Sequence, residues 1–254
     1  MVENNRRIGQ LRAEALNAAQ SYGPLTQPKL DVLDYAFSQF KVSSFADLGA
    51  AYRVDGGYTL YSFDVCGAKK GVLVDTHPTA KTLIEVGARP GAEVVRGNFG
   101  DREIAARVDQ VDAVIFFDVL LHQVAPNWDQ LLELYSAQTR LFIIHNPQWL
   151  GPETIRLLDL GEEKYLSSIP KTRNETVYRS ALDRPDEVLP EHGRPNRDVH
   201  HIWQWGITDA SLISKLDRLG FALRYFKDHG YFWNLDRFRN HSFIFEKTVD
   251  AAAK

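Results

Sequence analysis

From Ser44 onward the chain alternates short apolar runs ending in polar residues with stretches of helical periodicity, and this rhythm limits the folds open to it. The apolar runs span 45–48, 72–74, 93–95, 111–117 and 141–144, and the helical stretches between and after them span 57–66, 79–86, 101–107 and 128–137. A strand that is followed by a helix before the next strand returns to the same side of its sheet, so five such units predict a parallel α/β sheet.

The rhythm has three exceptions. Ahead of it, Ile8, Leu11, Ala15, Leu16 and Ala19, and then Leu30, Val32, Leu33, Ala36, Phe37 and Phe40, recur at helical spacing on either side of a Gly23-Pro24 break, which predicts two helices within 1–42. After Trp149, residues 150–206 are rich in Arg, Glu, Pro and Asn and too long for an ordinary loop, so they are expected to form a cap. In 207–250, Thr208 caps a helix carrying Leu212, Ile213, Leu216 and Leu219 and ending at Gly220, and strands at 221–226 and 242–245 follow. Only a loop joins those two strands, so the last is expected to be antiparallel. The 254 residues therefore read as one domain whose first half, 43–149, carries the parallel strands.

Composition narrows the partners. Lys and Arg number 30 against 33 Asp and Glu, a formal charge of -3, so no basic field tracks nucleic acid or an anionic membrane. The opening MVENNRRIGQLRAEAL lacks the apolar run of a secretory signal and no apolar stretch reaches a membrane span, which predicts a cytoplasmic protein. With Cys66 as the single cysteine, an intramolecular disulfide is excluded.

Four strand ends carry the polar residues of interest. Phe45-Ala-Asp47-Leu-Gly49 ends the first strand, where glycine lets backbone approach a ligand closely. Val72-Leu-Val-Asp75 puts a carboxylate at the end of the second, suited to a ribose diol or to capping ahead of Pro78. Gly97-Asn98-Phe99-Gly100-Asp101 follows the third, and Asp118 ends the fourth ahead of Leu120, Leu121 and His122. Taken in order, the four resemble the motifs of class I methyltransferases that use S-adenosylmethionine.

That resemblance implies a Rossmann-like, seven-stranded α/β sheet with an antiparallel last strand, and S-adenosylmethionine held by Asp47, Gly49, Tyr58, Asp75, Asn98, Phe99 and Asp118. The chain departs from the family pattern in spreading its first glycines over Gly49-Ala-Ala-Tyr52-Arg-Val-Asp55-Gly56-Gly57-Tyr58. FADLGAAYRVDGGY, VDAVIFFDVLLHQVAPNW and LFIIHNPQW are further similar to the sugar 1-O-methyltransferases of mycobacterial methylmannose polysaccharide synthesis, which implies a 3-O-methylated mannoside as acceptor.

Methyl transfer to oxygen needs an aligned acceptor and a base, and histidine titrates in the right range. His145, ahead of Pro147, is the first candidate and His122 the second. Pro147 is expected to stop the fifth strand, turning His145, Gln148 and Trp149 toward the cleft; a strand-terminal histidine bonded to its neighbours is the plainer alternative. A magnesium-assisted variant would use Asp118, but His145-Asn146 stands where catechol-type members carry Asp-Asn, which weakens that reading. Asn146-Pro-Gln-Trp149 also invites comparison with nucleic-acid amino-methyltransferases, which carry such a motif after the fourth strand, a place that Asp118 already takes.

In the cap, His200-His201-Ile-Trp203-Gln204-Trp205 interleaves rings with polar groups as a sugar site does, so His201 and Trp203 join Gln148 and Trp149 as expected acceptor contacts, with core packing of a tryptophan as the alternative. The expected partners are a small-molecule sugar acceptor and a second copy of the chain. A nicotinamide oxidoreductase would want a tighter Gly-x-Gly turn and a Tyr-x-x-x-Lys pair, and neither is present. A cofactor-binding protein without catalysis shares the fold and stays open.

Overall fold

The computed structural model describes residues 25–170, 175–190 and 193–248, and the expected first helix near 8–19 lies outside them. Seven strands form the main sheet: β1 (Ser44–Leu48), β2 (Lys70–Asp75), β3 (Ala92–Arg96), β4 (Val111–Phe117), β5 (Thr139–Trp149), β10 (Phe221–Tyr231) and β11 (Phe238–Lys247). Their order is β10-β11-β5-β4-β1-β2-β3, with β11 antiparallel to both neighbours, as the loop-only link between the last two strands requires.

Strand side chains alternate between two apolar layers. On one face, Phe45, Ala113, Ile115, Ile143 and Ile244 pack under α1 (Gln27–Gln39) and α2 (Gly57–Asp64), through Leu30, Leu33, Phe37, Tyr58 and Tyr61. On the other, Phe116, Phe142, Phe243 and Phe245 pack under α5 (Trp128–Ser136) and α8 (Asp209–Arg218), through Leu131, Tyr135, Leu212 and Leu216. Two shorter helices, α3 (Ala80–Gly87) and α4 (Arg102–Ala105), complete the early crossovers. Thr79 and Thr208 cap α3 and α8 by accepting the amides of Thr82 and Ser211, the second as expected.

Pro147 does not stop the fifth strand. β5 runs on to Trp149, because β4 ends at Phe117 opposite His145 and leaves one side of β5 without a ladder partner. Residues two apart point their amides to the same side. Trp149 N bonds Ile207 O outside the sheet, so the donor that Pro147 lacks falls on the side β4 has vacated. Antiparallel pairing with β11 holds the other side throughout, with Asn240 opposite Pro147.

Residues 150–206 fold around an apolar cluster of their own. β6 (Ile155–Arg156) pairs with β9 (Trp205–Gly206) and β7 (Val188–Leu189) with β8 (Arg194–Pro195), flanked by α6 (Glu162–Ser168) and α7 (Glu175–Asp183). Leu157, Tyr165, Ile169, Tyr178, Ile202 and Trp203 pack together and onto Trp149 and Phe238 of the main sheet. Gln204 ties the segment inward: its side chain bonds the carbonyls of Arg197 and Val199 and accepts from Arg156, while its amide reaches Leu121 O. Among the described residues no helix is long and apolar enough to cross a membrane.

Candidate functional site

The carboxyl ends of β1, β2 and β4 meet at one edge of the sheet, where open α/β sheets leave a ligand crevice. Gly49 turns the chain out of β1 with φ +75 while its amide bonds Val74 O of β2. A Cβ there would lie 2.6 Å from Val119 Cγ1, so only bare backbone fits between β1 and the loop after β4. Asp47, one turn of the pleat earlier, is buried and accepts the Thr59 hydroxyl of α2 at 2.7 Å. Burial pushes its carboxyl up to about 7, with Asp75 adding to the rise and Thr59 and Lys29 opposing it.

Asp75 braces the stretched glycine loop. Its Oδ2 accepts the Ala51 amide at 2.8 Å and its Oδ1 the His77 amide at 2.9 Å. It does not cap α3, a role that Thr79 takes, and each carboxylate oxygen retains a lone pair for a further donor. Asn98 closes a local turn, accepting from Gly100 N at 3.0 Å and donating to Asp101 Oδ1 at 3.1 Å. The buried Phe99 ring lies beneath Gly49.

Asp118 is the electrostatic centre. It sits at φ +57 past the end of β4, its amide bonded to His145 O, and Oδ2 receives the Lys29 ammonium of α1 at 2.5 Å. Oδ1 is buried without a partner among the described residues. Burial alone would raise this carboxyl, but the Lys29 charge, reinforced by His145 and His122, holds it below the usual carboxylate range. Lys29 lies over the rings of Tyr58 and Phe117, 5.4 and 5.8 Å from their centroids, and the Tyr58 hydroxyl accepts the Thr26 amide. Burial works against the Lys29 ammonium, yet Asp118, Tyr58 and Asp47 outweigh it and raise its pKa.

Both candidate histidines stand beside Asp118. His145 is 4% exposed, edge-on to Phe117, with Nδ1 2.8 Å from Ser242 Oγ of β11. Burial brings its pKa down to about 3, against the pull of Asp118, so the ring is neutral near pH 7. His122 is also held neutral by burial, and its Nδ1 donates to Ile202 O at 2.7 Å. A carbonyl only accepts, so the His122 proton is on Nδ1 and the lone pair on Nε2.

The other expected contacts divide. Gln148 lies on β5 with no exposure and with both amide atoms lacking a partner among the described residues. Trp149 and Trp203 are set in the apolar cluster of the insertion and not turned outward: Trp149 is pressed against Gly206 and tilted against Phe238, and Trp203 meets Phe232 and Phe238 edge-on. The continuation of β5 past Pro147 explains this, since a strand keeps Trp149 in the pleat and under the insertion. His201 is exposed in a turn.

Magnesium does not fit the residues present. The Asp118 charge is already matched by Lys29, and His145 and Asn146, adjacent on a strand, point to opposite faces of the sheet. Asn146 turns its own Nδ2 onto Pro147 O. No group of three potential ligands forms a metal site among the described residues.

The residues that sequence reasoning missed are Lys29, Thr59, Ser242 and His229. Lys29 had a signal: it shares a helix face with Val32, Leu33 and Ala36, an unusual place for an ammonium.

The sequence matches no protein-family model and no curated protein. Among solved structures, the chain is similar to the N-terminal domain of EvdMO1 determined in the presence of SAH (S-adenosylhomocysteine) and D-fucose, with a TM-score of 0.55 at 14% identity, covering 93% of this chain and 97% of that one. It is similar to the 1,6-didemethyltoxoflavin-N1-methyltransferase of Burkholderia thailandensis with bound 1,6-didemethyltoxoflavin and SAH (TM-score 0.55, 12% identity, 88% and 78% covered). A third is magnesium protoporphyrin IX methyltransferase (ChlM) from Synechocystis PCC 6803 with bound SAH (TM-score 0.52, 12% identity, 97% and 94% covered). At such identities the likeness is one of architecture, and that architecture is the Rossmann-like fold of class I methyltransferases.

Proposed function

We propose that the chain is an S-adenosylmethionine-dependent O-methyltransferase acting on a sugar hydroxyl, with His145 as general base. The observation that carries this reading is the convergence of two neutral histidines on the Asp118 carboxylate, where β4 ends opposite His145 of β5 and beside the Gly49 turn. Solved structures of the same architecture contain SAH, and one was determined in the presence of D-fucose, which supports both the cofactor and a sugar acceptor. Within sugars, the narrower resemblance supports the 1-OH of a 3-O-methylated mannoside.

The residues fit the cofactor. Gly49 leaves backbone bare where a Cβ would collide, and Asp118 Oδ1 is an acceptor with no partner among the described residues, suited to an ammonium. Asp47, Gly49, Tyr58, Asp75, Asn98, Phe99 and Asp118 border that space in this reading, Asp75 taking hydroxyl donors and Phe99 supporting the turn from beneath. When bound, S-adenosylmethionine supplies an activated methyl group on a sulfonium. His145 takes up the acceptor proton as the new bond forms, and His201 supplies a polar group to the acceptor, while Gln148, three residues on along β5, faces the other side of the sheet. General-base help of this kind is worth about 10²–10⁴ in rate.

His145→Ala is expected to keep its affinity for S-adenosylhomocysteine by calorimetry and to lose about 10²-fold or more in kcat on a sugar panel. Asp75→Ala weakens that affinity first. One observation favours a second base: the Ile202 carbonyl already fixes the lone pair of His122 on Nε2. If His122→Ala loses turnover while His145→Ala does not, the base is His122. Binding of NAD without S-adenosylhomocysteine would overturn the whole reading, and cofactor binding with no transfer to sugars, phenols or peptides would make the chain a binding protein.

A further inference from the structure

On the face of the sheet under α1, a single hydroxyl is shared by two imidazoles. Ser242 Oγ of β11, fully buried, lies 2.8 Å from His145 Nδ1 on one side and 2.9 Å from His229 Nε2 of β10 on the other. The two rings are 5.5 Å apart at their centroids. Pairing places Ser242 directly opposite His145, and an irregularity in the β10–β11 register between Asp228 and Tyr231, marked by Gly230 at φ +92, falls at His229. Irregularities of this kind re-aim side chains near functional sites.

The chemistry of one hydroxyl constrains both rings. A serine has one hydrogen to donate, so when it points to His229, His145 must donate its Nδ1 hydrogen to Oγ, and His229 then carries its hydrogen on Nδ1. When it points to His145, His229 donates from Nε2, and His145 carries its hydrogen on Nε2. Both rings therefore hold the same tautomer, either both Nδ1–H or both Nε2–H. Only in the first does His145 present a lone pair on Nε2.

We propose that Ser242 is a proton relay that locks His145 and His229 into one shared tautomer and passes the proton taken up at His145 on to His229. The proposal rests on His145 as the base. In the step, the acceptor O–H bond breaks and its hydrogen goes to His145 Nε2, while the oxygen keeps the electron pair for its new bond. At the same time the His145 Nδ1 hydrogen moves to Ser242 Oγ, and the hydroxyl hydrogen moves to His229 Nε2. His229 then releases its Nδ1 hydrogen to water, for it is the half-buried member of the three.

The relay answers a difficulty in the site. His145 is too buried to hold a full charge near neutral pH, with Asp118 facing it favourably and Lys29, His229 and His241 unfavourably. His229 is faced by Lys227, Asp31, Asp228 and His241, and is also neutral at that pH. A proton that enters as another leaves spares His145 the imidazolium state. Ser242 and His229 are thus positioning residues that act through His145.

The test reads tautomers directly. Ring ¹⁵N spectra of the whole labelled protein at pH 7.5 should show His145 and His229 with matching tautomer patterns, and Ser242→Ala should uncouple them, while Ser242→Thr restores the match. Opposite tautomers in the parent, or a pattern unmoved by Ser242→Ala, overturn the proposal, and circular dichroism separates either result from misfolding. This readout needs no turnover, so it stands apart from the question of methyl transfer. Where sugar methylation is measured, His229→Gln keeps an acceptor for the serine but cannot pass a proton. It should lower kcat about tenfold or more at unchanged KM, and an unchanged kcat would remove the transfer step.

Discussion

An ammonium on the apolar side of a helix survives only if something receives its charge, and Lys29 is received by Asp118 beneath two aromatic faces. Lys29→Met leaves a half-buried carboxylate without its cation. It is expected to lower stability by roughly 1–3 kcal/mol, read from urea midpoints at pH 7. The same change should raise the Asp118 pKa, because burial then acts unopposed by the strongest charge. Single residues were legible unevenly. Asp47, Asp75, Asp118 and His145 end apolar runs, and ends of parallel strands gather at one edge, so their neighbourhood could be read from order alone. Ser242 and His229 could not, since their meeting depends on the register of two late strands and on an irregularity at His229–Gly230. Nor does a sequence tell which way a tryptophan points, and Trp149 and Trp203 went to core.

The helices between the parallel strands and α8 declared themselves through caps and period, whereas the two helices of the insertion did not and the late strands were underestimated. β10 and β11 run 11 and 10 residues, well past the apolar stretches that predict them: β10 is largely exposed or half-exposed and carries Arg224, Lys227 and Asp228, and β11, though mostly buried, has Arg239, Asn240 and His241 ahead of its apolar run. Polar residues on a solvated face hide the ladder that backbone bonds nonetheless extend. The insertion is an element in its own right, fastened by Arg156, which bonds Gln204 Oε1, Arg197 O and Asp198 Oδ1 at 2.7 to 3.0 Å. Arg156→Ala strips three partners of a mostly buried guanidinium. The expected outcome is faster limited proteolysis within 184–190, with amide exchange in β1, β4 and β5 unchanged. Equal loosening of the central strands would show that the insertion and sheet unfold as one unit.

The stability of the molecule balances two groups that titrate in opposite senses. Asp47, raised to about 7, is protonated in the fold while an unfolded aspartate ionises near 3.9, so it lowers stability as pH rises from about 4 to 7, by roughly 3–5 kcal/mol in all. His145, lowered to about 3, stays neutral in the fold while an unfolded histidine takes a proton below about 6.5, so stability falls as pH drops through that range. Asp47→Asn should therefore make the unfolding free energy climb more steeply with pH between 4.5 and 7, and His145→Gln should make it climb less or fall. Guanidinium melts across that window measure both slopes, and slopes that move the same way would refute the assignment. The insertion adds a constraint of another kind. Its Ile202 carbonyl fixes the ring of His122, its Gln204 amide holds Leu121, and its His200 bonds Val124 O. A segment that varies freely between proteins is ordinarily a free parameter for choosing a new ligand. Here it is wired to the loop after β4, so any lineage that exchanges this segment inherits the duty of supplying a carbonyl at that point, and a chimera that lacks one would release His122 to choose its own protonation.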